Sequence, residues 1–354
     1  MIRQIKNTGE FNDMNKQGAH LILDCTLRDG GYVNNWEFDT QSAVRVMDGL
    51  YEAGIRIIEL GIMGKGGEPG KSTKFSDFAQ VEPLLAHRKQ DCCYAIMVNQ
   101  SDIEAYEIPH HGENTVDLLR LAFFKVEQQK ALQTAQELKA KGYKVFLQAM
   151  ATFMYSEQEL KELIAQINQT KPDGFYIVDS FSTMYNWDVR AMTDMVLSVL
   201  DKEIQFGFHA HNNIQMAYSN VIEFFSTQTD RPLIADGSVF GMGRGAGNVP
   251  TELLMEYLNK SEGANYGVMK VLEVFQEVIQ PIFKQYYWGY SPEYYLTASK
   301  NTNSVYSWYL RNQGVTDLRD FNAILDRIPA EIRYTLSRDA ADTAMKRYFE
   351  EKQA

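Results

Sequence analysis

The chain has 354 residues, 45% hydrophobic and 23% charged, enough for a large buried core and unlike the composition of disordered chains. Its net charge of -11, with no clustering of basic residues, gives no electrostatic footprint for nucleic acid or anionic lipid. No apolar stretch approaches the length of a membrane span and the first 18 residues are polar, so a soluble, cytoplasmic protein without membrane or nucleic-acid partners is expected.

In chain order, a polar N-terminal extension over 1–18 precedes short apolar runs, each followed by a stretch of helical periodicity. This alternation predicts repeated βα units. Strands are expected at 21–25, 55–60, 94–98, 116–124, 144–150, 174–179, 204–209 and 233–239. Eight units in about 250 residues predict a parallel (β/α)8 TIM barrel over 19–262, with a doubly wound open sheet as the alternative. Between strands, Asp39 to Gly54 carries an N-cap candidate and a glycine stop, and Ser156 with Glu159 forms a capping-box pattern. Residues 263–354 read as a C-terminal helical extension dense in tyrosine and tryptophan, expected to pack on the barrel mouth or on a second chain, as in a homodimer.

The chemistry-bearing residues fall after strands, at the end where such barrels work. His209 and His211 close the seventh strand; at a spacing of two their side chains share a face and can converge on one cation. With Asp29, from the segment ending the first strand, they make an oxygen and nitrogen set suited to a divalent ion with positions left for substrate. Arg28 is either an oxyanion stabiliser or the ion-pair partner that orients Asp29. Asn248, in the glycine-rich loop after the eighth strand, offers an amide to metal or substrate, and Glu59 and Ser180 end strands two and six, where substrate would bind. Cys25, Cys92 and Cys93 have neither zinc nor disulfide spacing and are expected to be buried strand residues. Lys65 to Ser72 imitates a phosphate-binding loop, but Lys65 replaces its first glycine and Pro69 removes a backbone donor. A flexible loop over the mouth is the better reading.

Three segments, Thr26-Leu-Arg-Asp-Gly30, His209-Ala-His211 and Gly245-Ala-Gly-Asn248, make residues 20 to 260 resemble the metal-dependent TIM-barrel lyases and aldolases that include 4-hydroxy-2-oxovalerate aldolase, HMG-CoA lyase and isopropylmalate synthase. The aldolase branch is the nearest, because the loop runs on as Gly245 to Pro250, Asp179-Ser180 matches a strand end that positions the keto acid, and Val305-Tyr-Ser307 resembles a tail segment whose tyrosine reaches the site. The resemblance implies retro-aldol cleavage of a 4-hydroxy-2-oxo acid to pyruvate and an aldehyde. It assigns a divalent cation (manganese or magnesium, with zinc as a further candidate) to Asp29, His209 and His211, enolate stabilisation to Arg28, and a site role to Tyr306. It also implies an acylating aldehyde dehydrogenase partner. Those aldolases carry a catalytic histidine three residues after the aspartate, where this chain has Tyr32. The alternatives are Claisen-type acyl-CoA chemistry and a non-catalytic metal-binding partner subunit.

Overall fold

The computed structural model describes residues 20–353, so the N-terminal extension expected at 1–18 lies outside the described residues. Among the described residues nine strands are formed: β1 Leu21–Asp24, β2 Ile57–Met63, β3 Lys74–Phe75, β4 Cys93–Asn99, β5 Leu118–Phe123, β6 Lys144–Ala149, β7 Gly174–Asp179, β8 Gln205–Ala210 and β9 Leu233–Gly237. Eight of them close a parallel barrel, because β1 pairs both with β9 and with β2. The open-sheet alternative is thereby excluded. The unexpected strand, β3, adds two residues outside the barrel on the upper end of β2.

Period-two alternation sorts each strand between two cores. On β5, Leu119, Leu121 and Phe123 face the helices, whereas Leu118 packs inside the barrel with Leu23, Ala95, Phe146 and Tyr176. Arg120 shares the inward face with Leu118 and Ala122 and is completely buried. A Cβ on Gly207 would lie 2.2 Å from the Tyr176 ring, so glycine there admits that ring to the interior, 4.8 Å beneath the Arg120 guanidinium.

The expected helix signals are realised. Asp39 accepts the Ser42 amide at the start of Thr40–Glu52. Ser156 and Glu159 exchange both capping-box bonds at the start of Glu157–Thr170. Among the described residues no helix is long and apolar enough to cross a membrane.

One boundary differs from expectation. The composition shifts at Gly263, but Val271, Val274, Ile279 and Trp288 belong to the barrel's outer core, where helix Val268–Val274 packs on Thr40–Glu52. The separate C-terminal core is built on Tyr306, Leu310, Phe321, Ile324 and Leu325, from helices between Pro292 and Gln353. Apolar faces, rather than tyrosine density, set the division. The C-terminal unit meets the barrel mouth where Tyr334 packs on Phe124, just past β5, and where Ser304 approaches Gly245.

Candidate metal centre

The ends of β1 and β8 bring three of the expected residues together. One ligand atom from each of Asp29, His209 and His211 lies within 4.8 Å of the others, and all three side chains are buried. Asp29 sits in the turn after β1, its amide held by the Cys25 carbonyl at 2.8 Å. His209 and His211 leave β8 on one face, as the spacing predicted, with ring centres 4.9 Å apart.

Each ligand candidate is oriented by a second group. His209 Nδ1 donates to Asp236 Oδ2 at 2.8 Å, which leaves the Nε2 lone pair directed away from the carboxylate and without a protein partner. Asp29 Oδ1 accepts from Arg28 Nη1 at 2.5 Å, and its Oδ2 from Asn248 Nδ2 at 2.8 Å. His211 leaves Nδ1 unpartnered, 3.9 Å from Asp29 Oδ2, while its Nε2 stands 3.4 Å from Arg244 Nη2. Asn248 Oδ1 is also buried and unpartnered. A Cβ at Gly243 would fall 2.4 Å from Asn248 Nδ2 and 2.7 Å from Asp29 Oδ2, so only glycine lets the loop close over this pair.

Beneath the cluster runs a buried ion network. Arg120 Nη1 donates to Glu59 Oε2 at 2.7 Å, and its Nη2 to Asp236 Oδ2 at 2.5 Å and Gln148 Oε1 at 3.0 Å. Arg28 Nε donates to the same Glu59 oxygen at 2.7 Å. Among these buried groups two guanidiniums face three carboxylates, Asp29, Glu59 and Asp236, and the half-buried Arg244 guanidinium stands beside them at His211.

Electrostatics fix the protonation states a metal needs. Burial would raise the Asp29 carboxyl, but the Arg28 guanidinium paired with it holds it well below the usual carboxylate range, so it is ionised. Burial drives the His211 imidazole well below its ordinary 6.5 against the pull of Asp29, so its ring is neutral and keeps a lone pair. A second group, Cys25 with His209 and Asp236, also lies within ligand range. It fits worse: burial pushes the Cys25 thiol well up, so it stays protonated, and His209 Nδ1 and Asp236 Oδ2 already satisfy each other. The donor set and the orphaned buried atoms thus fit a divalent cation held by Asp29, His209 and His211, with Asn248 beside them.

The remaining expected residues are distributed as follows. Arg28 does orient Asp29, yet its buried Nη2 has no hydrogen-bond partner. Glu59 is held by two guanidiniums inside the barrel and is part of the support beneath the cluster. Ser180 accepts the Ala151 amide at 2.9 Å, and its carbonyl accepts from Arg244 at 3.2 Å. Neighbouring Asp179 is committed to the Thr183 and Met184 amides, and burial lifts its carboxyl to about 6. Tyr32 lies half-exposed at the mouth, edge-on to Trp36 and under the Arg244 guanidinium, 5.4 Å from the ring centre. Tyr306 is not brought to the cluster. Its hydroxyl donates to the Thr335 and Ile332 carbonyls at 3.0 and 3.2 Å and accepts the Ser337 amide, deep in the C-terminal core. The three cysteines are buried and free, as expected, but only Cys93 lies within a strand; Cys25 follows β1 and Cys92 precedes β4.

Arg120, Asp236 and Arg244 were missed by the sequence reading. A signal existed for the first, a charge at the centre of the apolar run Leu118-Leu-Arg-Leu-Ala-Phe123, and for the second, an acid at the end of Leu233-Ile-Ala-Asp236. Arg244 had only its place in the glycine-rich loop.

Residues 19–276 match the model of the HMGL-like family. The chain is 29% identical over 267 residues to the 4-hydroxy-2-oxovalerate aldolase of Thermomicrobium roseum, covering 74% of this chain and 73% of that protein. It is 25% identical over 245 residues to the oxaloacetate decarboxylase of Mycobacterium tuberculosis, covering 68% of this chain and 70% of that protein. Among solved structures, the HMG-CoA lyase of Brucella melitensis superposes with a TM-score of 0.60 at 16% identity, over 75% of this chain and 99% of that one, a likeness of fold. The chain belongs to the HMGL-like family.

Proposed function

We propose that this protein is a divalent-metal-dependent aldolase that cleaves or forms the C3–C4 bond of a 4-hydroxy-2-oxo acid, giving pyruvate and an aldehyde. The observation that carries the reading is the buried Asp29, His209 and His211 cluster with its unpartnered nitrogen and amide oxygen atoms. The aldolase relatives support it. A cation held there supplies a Lewis acid toward the 2-oxo group.

The chain's own residues then supply the rest. Asp236 keeps the proton of His209 on Nδ1, so Nε2 retains its lone pair at the cluster. Arg28, whose Nη2 makes no hydrogen bond and lies 3.9 Å from Asp236 Oδ2, and Arg244, beside His211, offer N–H donors where negative charge grows on the 2-oxo oxygen as the C3–C4 bond breaks. Burial of the cluster makes these donors stronger than they would be in water. We assign exchange of the C4 hydroxyl proton to Tyr32, which is half-exposed at the mouth beneath Arg244.

One observation favours a second reading. His20, His87, His110 and His111 precede β1, β4 and β5, at the opposite end of the barrel, so among the described residues His209 and His211 are the imidazoles at the mouth. Decarboxylation of oxaloacetate also breaks the C3–C4 bond of a 2-oxo acid and needs no base for a hydroxyl proton, and one relative bears that name.

The test is pyruvate release by protein stripped with chelator and then given manganese, magnesium or zinc. Release from 4-hydroxy-2-oxovalerate supports the aldolase; release from oxaloacetate alone selects the second reading. Failure of both, with no deuterium exchange into the pyruvate methyl group, overturns the proposal.

A further inference from the structure

Beside the cluster lies a cleft of about 650 Å³ of which the chemistry above uses only Tyr32, at its edge. Tyr32 and Trp36 form one wall, the end of β2 with Lys65 and Lys74 another, and the segment from Asn99 to Tyr106 the third. It adjoins the candidate metal centre, since Trp36 Nε1 donates to the Arg28 carbonyl at 2.7 Å and Tyr32 lies under Arg244.

The cleft has an unbalanced charge. Glu104 on its wall is paired with Lys130 at 2.6 Å, whereas neither Lys65 nor Lys74 has a carboxylate partner among the described residues. Two ammonium groups therefore face a single unpaired acid, Asp102.

Lys74 is held in place. It begins β3, hydrogen-bonded along β2, and the adjoining Thr73 ties its amide to the Trp36 carbonyl at 3.0 Å and its hydroxyl to the Leu27 carbonyl at 2.7 Å. Its ammonium stands 4.9 Å from the centre of the Trp36 ring. Its stem lies along Gly64, where a Cβ would approach Lys74 Cε to 2.5 Å. Fixing a long side chain in this way removes much of the entropy cost of ordering it on a ligand. The segment that imitates a nucleotide loop thus delivers Lys65 to the rim, directly after Gly64, the glycine on which Lys74 lies.

We infer that this cleft receives the part of the substrate remote from the bond being cleaved, and that this part carries an anion, a phosphate or a carboxylate, bound by Lys65 and Lys74. The inference rests on the aldolase reading, with the anion on the aldehyde fragment. Tyr32, Trp36 and Tyr106 give the carbon chain an apolar wall, and Asn99 and Ser101 accommodate hydroxyl groups along it.

The test compares kcat/KM, with pyruvate as donor, for D-glyceraldehyde 3-phosphate over D-glyceraldehyde and for succinic semialdehyde over butanal. The first pair reads phosphate and the second carboxylate. At least one ratio should exceed unity in the wild type and fall roughly ten-fold in the double variant Lys65→Met, Lys74→Met, the scale of a lost charge-assisted contact. General damage would lower both members of a pair and leave the ratio unmoved. Calorimetric titration with inorganic phosphate adds a readout without turnover: lysine-dependent binding is expected. Phosphate binding without pyruvate methyl exchange keeps the cleft and sinks the aldolase reading. Exchange with unmoved ratios and no lysine-dependent phosphate binding keeps the aldolase and overturns the cleft.

Discussion

The barrel mouth and the C-terminal core both bury polar side chains, and they differ in what they leave unpaired. At the mouth, His209 Nε2, His211 Nδ1, Asn248 Oδ1 and Arg28 Nη2 are buried without a hydrogen-bond partner. In the C-terminal core the Tyr306 hydroxyl donates to backbone carbonyls and accepts a backbone amide, so it has nothing left to offer a ligand. Unsatisfied buried groups cost stability, and several converging on one point mark a place where a ligand completes the bonding. A satisfied group stabilises the fold and needs no ligand. Sequence gives both the same appearance, a polar residue among apolar ones.

The comparison breaks most readily at Arg120. Its guanidinium is completely buried between Glu59, Asp236 and Gln148, so Arg120→Met leaves Glu59 with Arg28 as its remaining close cation and Asp236 with the His209 imidazole as its remaining hydrogen-bond donor. We expect a loss of about 3–5 kcal/mol in urea unfolding. A loss under about 1 kcal/mol would show that the network under the cluster is not the coupled unit described.

Asp24 sharpens the comparison through pH. Burial lifts its carboxyl from 3.8 to about 6, against hydrogen bonds from Thr251 and Thr26. The stability linked to this raised pKa is fully present below 3.8 and is lost as pH rises through about 6. Asp24→Asn removes that loss, so the variant should gain on the wild type as pH rises, by up to about 3 kcal/mol. Asp29 and Asp236, held low by their cations, have the opposite slope and lose their contribution as pH falls. Denaturant unfolding of both proteins between about pH 4 and about pH 7 measures the difference. A constant gap would contradict it.

The smallest effect is expected in the tail. Tyr306→Phe should cost about 1 kcal/mol of stability, for one lost hydroxyl, and leave kcat/KM for pyruvate release within about two-fold of wild type. A large fall in kcat at unchanged stability would return Tyr306 to the site.

Much of the architecture was legible, because βα periodicity needs only local pattern: all eight barrel strands were located, with Gly174–Asp179 matched end to end. His209 and His211 were legible for the same reason, since alternation fixes a shared face. What was hidden depends on facing. Nothing in Leu118 to Phe123 says which side of the strand turns inward, so Arg120 passed as one residue of an apolar run. Nor does spacing reveal that Asp236, 27 residues after His209, sits on its imidazole. The two-residue β3, which carries Lys74, is too short to show any period. Tyr306 was misplaced because its resemblance to a tail motif is blind to the backbone groups that hold its hydroxyl.

The most direct test of the account is calorimetric titration of manganese into metal-free wild type, Asp29→Ala, His209→Ala and His211→Ala, with folding of each checked by circular dichroism. The account predicts one strong site per chain in the wild type and its loss in every folded variant. Undiminished manganese binding in both histidine variants would contradict it and place the cation elsewhere.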